Sequence, residues 1–263
     1  MSAAGELDGP FSRRYVALGD SFTEGVGDID PSSPNGVRGW ADRVAAQLMA
    51  NDDSWGYVNL AIRGKKLQQV LDEQLDAAIA LEPTLVTLYA GGNDILRPVV
   101  NVDGIMERYR WGVEKLVSTG ARVVLFTGFD SGKAPMFRAT RGRTAIYNEH
   151  VRKIAADHQL DLVDFWHMKH FQDWRFWDVD RMHLGIEGHI HMAKEVLKVL
   201  GETDEIAEPE LEEPPVASFP ERMVAEATWT KDYLYPWVKR RVTRTSSGDA
   251  LSPKYPTLTG RIW

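Results

Sequence analysis

Apolar residues fall into two alternating periodicities along the chain. Short runs rich in Val, Leu, Tyr and Phe at 15–19, 57–61, 84–90, 122–127 and 161–165 read as strands. Segments 40–50, 65–81, 103–119, 140–158 and 186–200 carry apolar side chains three and four positions apart and read as helices. Strand followed by helix, repeated, predicts a five-stranded parallel sheet covered by helices on both faces, because parallel strands need a crossover between them. Ligands of such sheets bind beyond the carboxyl ends of the strands. Those ends carry Asp20 and Ser21 after the first run, Arg63 and Gly64 after the second, and Gly91 to Asp94 after the third.

The pattern breaks after Leu200. Residues 202–215 hold seven acidic side chains and end in two prolines, which reads as an exposed acidic linker. The expected organisation is a tail over 1–13, a main domain over 14–201, the linker over 202–215 and a helical or irregular extension over 216–263. In the extension Trp229, Tyr233 and Trp237 recur every four residues on a segment that Pro236 should interrupt. Docking of this stripe on the main domain is the expected role, with a homo-oligomer contact or a substrate cover as alternatives. The basic run 239–244 reads as a solvated end answering the acidic linker.

Length and composition narrow the function. A chain of 263 residues can bury a full core. A net charge of -7 argues against non-specific binding to nucleic acid or anionic membranes, so the expected ligand is not a polyanion. No cysteine is present, which removes disulfides, thiolate metal sites and a cysteine nucleophile together. Residues 1–10 hold no apolar stretch of the kind a signal peptide or membrane span needs, and the expected location is cytoplasmic.

Three segments carry candidate chemistry. Val16-Ala17-Leu18-Gly19-Asp20-Ser21 is an apolar strand that stops abruptly at a serine and runs into a loop with several glycines. A serine on a tight strand exit projects its hydroxyl into the crevice, while a capped turn is the purely structural reading. A phosphate cradle fits poorly, because the Gly-x-x-x-x-Gly-Lys and Gly-x-Gly-x-x-Gly spacings are missing and Asp20 and Glu24 would repel phosphate. Asp180-Arg181-Met182-His183 sets a carboxylate three residues before an imidazole, so that the carboxylate can accept from one ring nitrogen while the other faces a nucleophile. Asp178 is close enough to compete for that role. Gly91-Gly92-Asn93-Asp94 closes a very apolar strand, and Asn93 can present an N–H to a developing oxyanion.

Other polar and aromatic clusters are weaker. His167, His170, His189 and His191 could hold a metal with Asp164 or Asp173, but their spacings fit no standard zinc pattern, so neither metal nor cofactor is expected. Trp40, Phe165, Trp166, Phe171, Trp174, Phe176 and Trp177 could line an acyl or sugar pocket, although core packing accounts for most of them.

Taken in order, Gly19-Asp20-Ser21, Asn59-Leu60-Ala61-Ile62-Arg63-Gly64, Gly91-Gly92-Asn93-Asp94 and Asp180-Arg181-Met182-His183 resemble the four motif blocks of the SGNH (GDSL-type) serine hydrolases over residues 14–200. Phe22 stands where the family name has Leu. The resemblance implies a three-layer α/β/α, flavodoxin-like fold with Ser21 as nucleophile, His183 as base and Asp180 orienting it. It also implies an oxyanion hole of the Ser21 and Gly64 backbone N–H groups with the Asn93 side chain. The implied activity is cleavage of carboxylic esters, short acyl or acetyl esters favoured, on a small-molecule or carbohydrate substrate and without a cofactor. An acyltransferase or thioesterase using the same serine, and an inactive binding module, are the alternatives. The extension has no counterpart in these motifs.

Overall fold

A computed structural model describes residues 11–134, 136–209, 211–213, 218–243 and 245–262. Most of the expected tail, the end of the linker and Arg244 of the basic run lie outside the described residues. In chain order the elements are β1 (Arg13–Gly19), α1 (Ser21–Glu24), α2 (Trp40–Asn51), β2 (Trp55–Asn59), α3 (Leu67–Ala80), β3 (Leu85–Tyr89), α4 (Gly92–Ile95), α5 (Val102–Val117), β4 (Arg122–Phe126), α6 (Arg141–His158), β5 (Asp161–Val163), α7 (Ile186–Leu200), α8 (Phe219–Trp229), α9 (Tyr235–Thr243) and β6 (Tyr255–Thr259).

Side-chain alternation in the strands separates two cores. Val16 and Leu18 of β1, with Val123 and Leu125 of β4, face the layer of α3, α5 and α6. Tyr15, Ala17, Val124 and Phe126 face the layer of α2 and α7. Strands covered on both faces need apolar residues at almost every position, which is why they read as continuous runs.

The sheet corrects the expected fold class. It is six-stranded and mixed, in the order β5-β4-β3-β1-β2-β6, rather than a five-stranded parallel sheet of flavodoxin-like type. β1 to β5 pair in parallel, and β6 pairs antiparallel with β2, with an irregularity between Tyr57 and Asn59. The sixth strand was hidden because Tyr255-Pro256-Thr257-Leu258-Thr259 is short, distant from its partner and carries a proline. Proline donates no ladder hydrogen bond, so it is tolerated only at such an edge.

β6 is locked in place by Lys254. Its ammonium lies 2.5 Å from Asp42 on α2 and also donates to the carbonyls of Val37 and Arg38, with both charged side chains fully buried. Upstream, Pro236 does not end the helical path. A π-helical turn over Thr230–Leu234 carries α8 into α9; the wider turn relieves the clash and the lost hydrogen bond that a proline imposes on a regular helix. Arg181 then clamps α8 to the main domain, pairing with both Glu226 oxygens at 2.7 and 2.9 Å and lying 4.6 Å over the Trp229 ring.

Candidate active site

Strand order reverses at β1, since the chain passes first to β2 on one side and then to β3 on the other. The crevice at that switch point is where open α/β sheets bind ligands. Ser21 leaves the end of β1 and Asn93 follows β3, so the topology alone brings them to one place. Gly19 makes the tight exit possible: its φ is +152°, and a Cβ there would meet the Tyr89 carbonyl at 2.5 Å. Asp20 caps the short helix α1 by accepting from Phe22 N–H at 3.1 Å. Ser21 is thereby held as the first helical residue with its hydroxyl in the crevice.

The distant histidine arrives on the loop before α7. Asp180 Oδ1 accepts from the backbone N–H groups of Met182 and His183 at 2.8 and 3.0 Å, folding the four-residue segment on itself, while Arg181 takes a left-handed φ of 57°. Asp180 Oδ2 then lies 2.6 Å from His183 Nδ1, and His183 Nε2 lies 3.1 Å from Ser21 Oγ. Asp178 does not reach the imidazole; its backbone N–H donates to the His183 carbonyl at 2.9 Å.

Charges in this site are shifted. Burial alone would lower the His183 pKa, but the Asp180 charge and hydrogen bond outweigh it and hold the imidazole above its ordinary value. Burial pushes Asp180 up, and the His183 charge and hydrogen bond with two backbone donors bring it below the usual carboxylate range. Asp178 is raised, first by burial and then by the Asp180 charge. Asp20 is raised by burial to about 7.

Around the serine stand the remaining expected residues. Neither the Ser21 nor the Gly64 backbone N–H has an acceptor among the described residues. Gly64 takes φ +81°, a left-handed conformation that glycine adopts without strain. Asn93 Nδ2 lies 3.1 Å from both Asp20 Oδ2 and the Lys65 carbonyl. Its neighbour Asp94 turns away and accepts from Leu67 N–H at 2.8 Å.

Two positioning groups were not singled out by sequence. Glu24, fully buried, grips Arg63 through its backbone N–H at 2.6 Å and its guanidinium at 2.7 to 3.0 Å, tying the β2–α3 loop that carries Gly64 to the α1 turn that carries Ser21. Ser246 of the extension donates to the Arg63 carbonyl at 3.1 Å and packs so closely on Gly64 that a Cβ there would meet its Oγ at 2.0 Å. Glu24 was legible only as an acid near a serine. Ser246 left no signal, since a serine in a polar tail is ordinary.

The expected aromatic cluster divides. Phe165, Trp174 and Trp177 line a cavity of about 170 Å³ beside Ser21, together with Phe22, Phe129 and Phe137. Trp40, Phe171 and Phe176 are core residues, and Trp166 carries the Arg141 guanidinium 5.3 Å from its ring. Trp237 of α9 also lines the cavity, its ring 6.1 Å from Phe137. Within the stripe of the extension, Trp229 thus packs against Arg181 of the main domain and Trp237 reaches the cavity beside Ser21. His189 is committed elsewhere, accepting from Trp40 N–H at 3.1 Å and contacting the Val26 carbonyl at 3.2 Å, with burial lowering its pKa to about 4. His167 pairs with Asp164 at 2.8 Å, and among the described residues no group of three or more metal-ligating side chains gathers.

Serine, imidazole and carboxylate in hydrogen-bonded series at the switch point of an α/β sheet define a serine hydrolase. The chain belongs to the GDSL-like Lipase/Acylhydrolase family, whose model matches residues 17–190. The match ends before the acidic linker, so the family accounts for the main domain and not for the extension.

No curated protein is similar enough in sequence to count as a match. Among solved structures, the fold is similar to LAE5, described as an alpha/beta hydrolase enzyme from the metagenome of Lake Arreo, with 21% identity, a TM-score of 0.61, and coverage of 73% of this chain and 97% of that one. Axe2, an acetylxylan esterase from Geobacillus stearothermophilus, superposes with 21% identity and a TM-score of 0.61 over 73% of this chain and 96% of its own. A lipase/acylhydrolase from Enterococcus faecalis does so with 21% identity and a TM-score of 0.58 over 71% and 94%. The narrower designation suggested by the motifs, SGNH hydrolase with a flavodoxin-like parallel sheet, is corrected accordingly. The family is the GDSL-like one, the structural relatives are described as esterases, lipases or an alpha/beta hydrolase enzyme, and the sheet is mixed. Among the described residues no helix is long and apolar enough to cross a membrane.

Proposed function

We propose that this protein hydrolyses carboxylic esters through an acyl-enzyme on Ser21. The observation that carries the reading is the unbroken series from Ser21 Oγ through His183 to Asp180, with contacts of 3.1 and 2.6 Å. His183 Nδ1–H donates to Asp180, leaving the Nε2 lone pair to take the serine proton as Oγ attacks the acyl carbonyl. The tetrahedral oxyanion accepts from the Ser21 and Gly64 backbone N–H groups and from Asn93. An amide nitrogen carries two hydrogens, so donation by Asn93 trades its contact with Asp20 or with the Lys65 carbonyl. Imidazolium then protonates the leaving alcohol, and water repeats the sequence on the acyl-enzyme.

The aromatic cavity favours short acyl groups, and Trp237 is part of its lining. Replacing Trp237 with Ala is expected to shift the preference toward longer chains, read as relative kcat/KM across p-nitrophenyl esters from acetate to decanoate. An unchanged profile would remove Trp237 from substrate selection. The acetylxylan esterases among the structural relatives make an acetylated carbohydrate a substrate worth including.

The test of the whole reading is covalent. A fluorophosphonate should add one phosphonyl group to Ser21, located by peptide mass, and block ester cleavage. A folded protein that neither labels at Ser21 nor cleaves any ester would end the proposal.

The pH profile follows from the charges. His183 acts as base only when neutral, and its pKa is held above the ordinary 6.5, so kcat/KM should fall with acid along a limb centred above pH 6.5. Asp180→Asn removes the dominant raising influence. The limb should then move to lower pH while the rate drops, a split that simple misfolding does not produce.

A further inference from the structure

Beyond the aromatic cavity, Ser21 faces a second hollow of about 540 Å³, polar rather than apolar, closed on one side by the extension. Ser21, Asn93 and His183 line both spaces, so the reacting centre lies at their junction. If the aromatic side receives the acyl group, the polar side receives the alcohol part.

Charge in this cleft is not balanced. Arg63 is neutralised by Glu24 and Lys65 by Glu73 at 2.6 Å, while Asp180 keeps its charge beside the neutral imidazole that acts as base. Asp249, which also lines the cleft, keeps its negative charge while accepting from Ser246 N–H at 2.7 Å. Lys66, Arg97 and Arg240 stand on the cleft wall against the carboxylates Asp180 and Asp249, with no ion pair to any of the three cations among the described residues, and Asp94 interacts with the charge of Lys66. Arg97 is partly buried, and among the described residues its buried Nε has no hydrogen-bond partner. Buried donors are normally satisfied, and like charges gathered in a concave wall oppose each other unless an anion joins them.

We propose that the alcohol part of the ester carries an anionic group, a carboxylate or a phosphate, held in this cleft by Arg97 and Arg240 with Lys66. The guanidinium fork matches either oxyanion in bidentate fashion. The net charge of -7 argues against a polyanion spread over the surface, whereas a single anionic group in a local cationic cleft is compatible with it. Because Arg240 belongs to α9, the extension supplies part of the specificity as well as the cover. This inference rests on the ester-hydrolase reading of Ser21.

Two matched pairs of butyryl esters test it: butyryloxyacetate against butyryloxyacetamide, and 2-butyryloxyethyl phosphate against 2-butyryloxyethanol. The anionic member of at least one pair should have a kcat/KM at least tenfold above its neutral partner, the advantage shrinking with added salt. Which pair shows it distinguishes carboxylate from phosphate. Arg97→Gln should bring the ratio to within twofold of one. Arg240→Gln, on an exposed position of α9, repeats the test should the Arg97 variant not fold. Equal kcat/KM within both pairs, in protein that does cleave p-nitrophenyl butyrate, overturns the proposal but leaves the hydrolase reading intact. A ratio that persists in both variants overturns the cleft as its origin. If no ester is cleaved, calorimetric titration of the same four compounds into Ser21→Ala protein decides: tenfold tighter binding of an anionic member, lost with Arg97→Gln, supports the site, and equal binding sinks it.

Discussion

Ser21→Ala is expected to lower kcat for p-nitrophenyl butyrate by roughly 10⁴-fold or more while leaving the melting temperature close to that of the parent. The size of the loss follows from what the hydroxyl does in the proposed cycle. Without Oγ no acyl-enzyme forms, and the imidazole has nothing to deprotonate except water that the site was not shaped to hold. Backbone donors at Ser21 and Gly64 survive the substitution, so a residual rate above the uncatalysed one should remain. Stability should change little because the Ser21 side chain is half-buried and its contact is a single hydrogen bond to His183. Esterase activity that survives in folded Ser21→Ala protein, measured on material free of the parent, would place the chemistry elsewhere.

Much of this site was legible because each part obeys a local rule. Strand exits concentrate functional groups, and Asp180 three residues before His183 is a spacing that one short loop can close. The helices were legible for the same reason: α7 falls where apolar periodicity put it, at 186–200, and α2 and α6 differ from expectation by one residue at one end. What sequence did not reveal is what depends on long-range pairing. β6 finds β2 almost two hundred positions away, and no periodicity in five residues containing a proline announces that partner. Glu24 and Arg63 are separated by 39 residues, and only the folded loop shows that they fix the distance between Ser21 and Gly64. Arg97 reads as one cation among 31 until the cleft isolates it.

Lys254→Met should lower unfolding free energy by about 3–5 kcal/mol, the usual cost of leaving one partner of a buried ion pair alone. Asp42 and Lys254 are each fully buried and 2.5 Å apart, with Tyr57 and Asn59 donating to the same carboxylate at 2.8 and 3.3 Å. Burial already pushes the Asp42 pKa up and the Lys254 pKa down, so each depends on the other to stay charged. Removing the ammonium also frees the carbonyls of Val37 and Arg38 and unpins the residue directly before β6. Hydrogen exchange at the β2 edge should therefore rise before the rest of the sheet opens, because β6 leaves as a unit. The double variant Asp42→Asn/Lys254→Met should recover a large part of the loss, since no charge then stays buried without its partner. A denaturant melt of the single variant within about 1 kcal/mol of the parent would show that Lys254 is not the anchor of the extension. Where the loss is found, its functional consequence is directional: loosening β6 releases the segment that places Trp237 and Arg240 over the two halves of the site. Selection for acyl length and for the charge of the alcohol should weaken together, while labelling of Ser21 by a small fluorophosphonate persists.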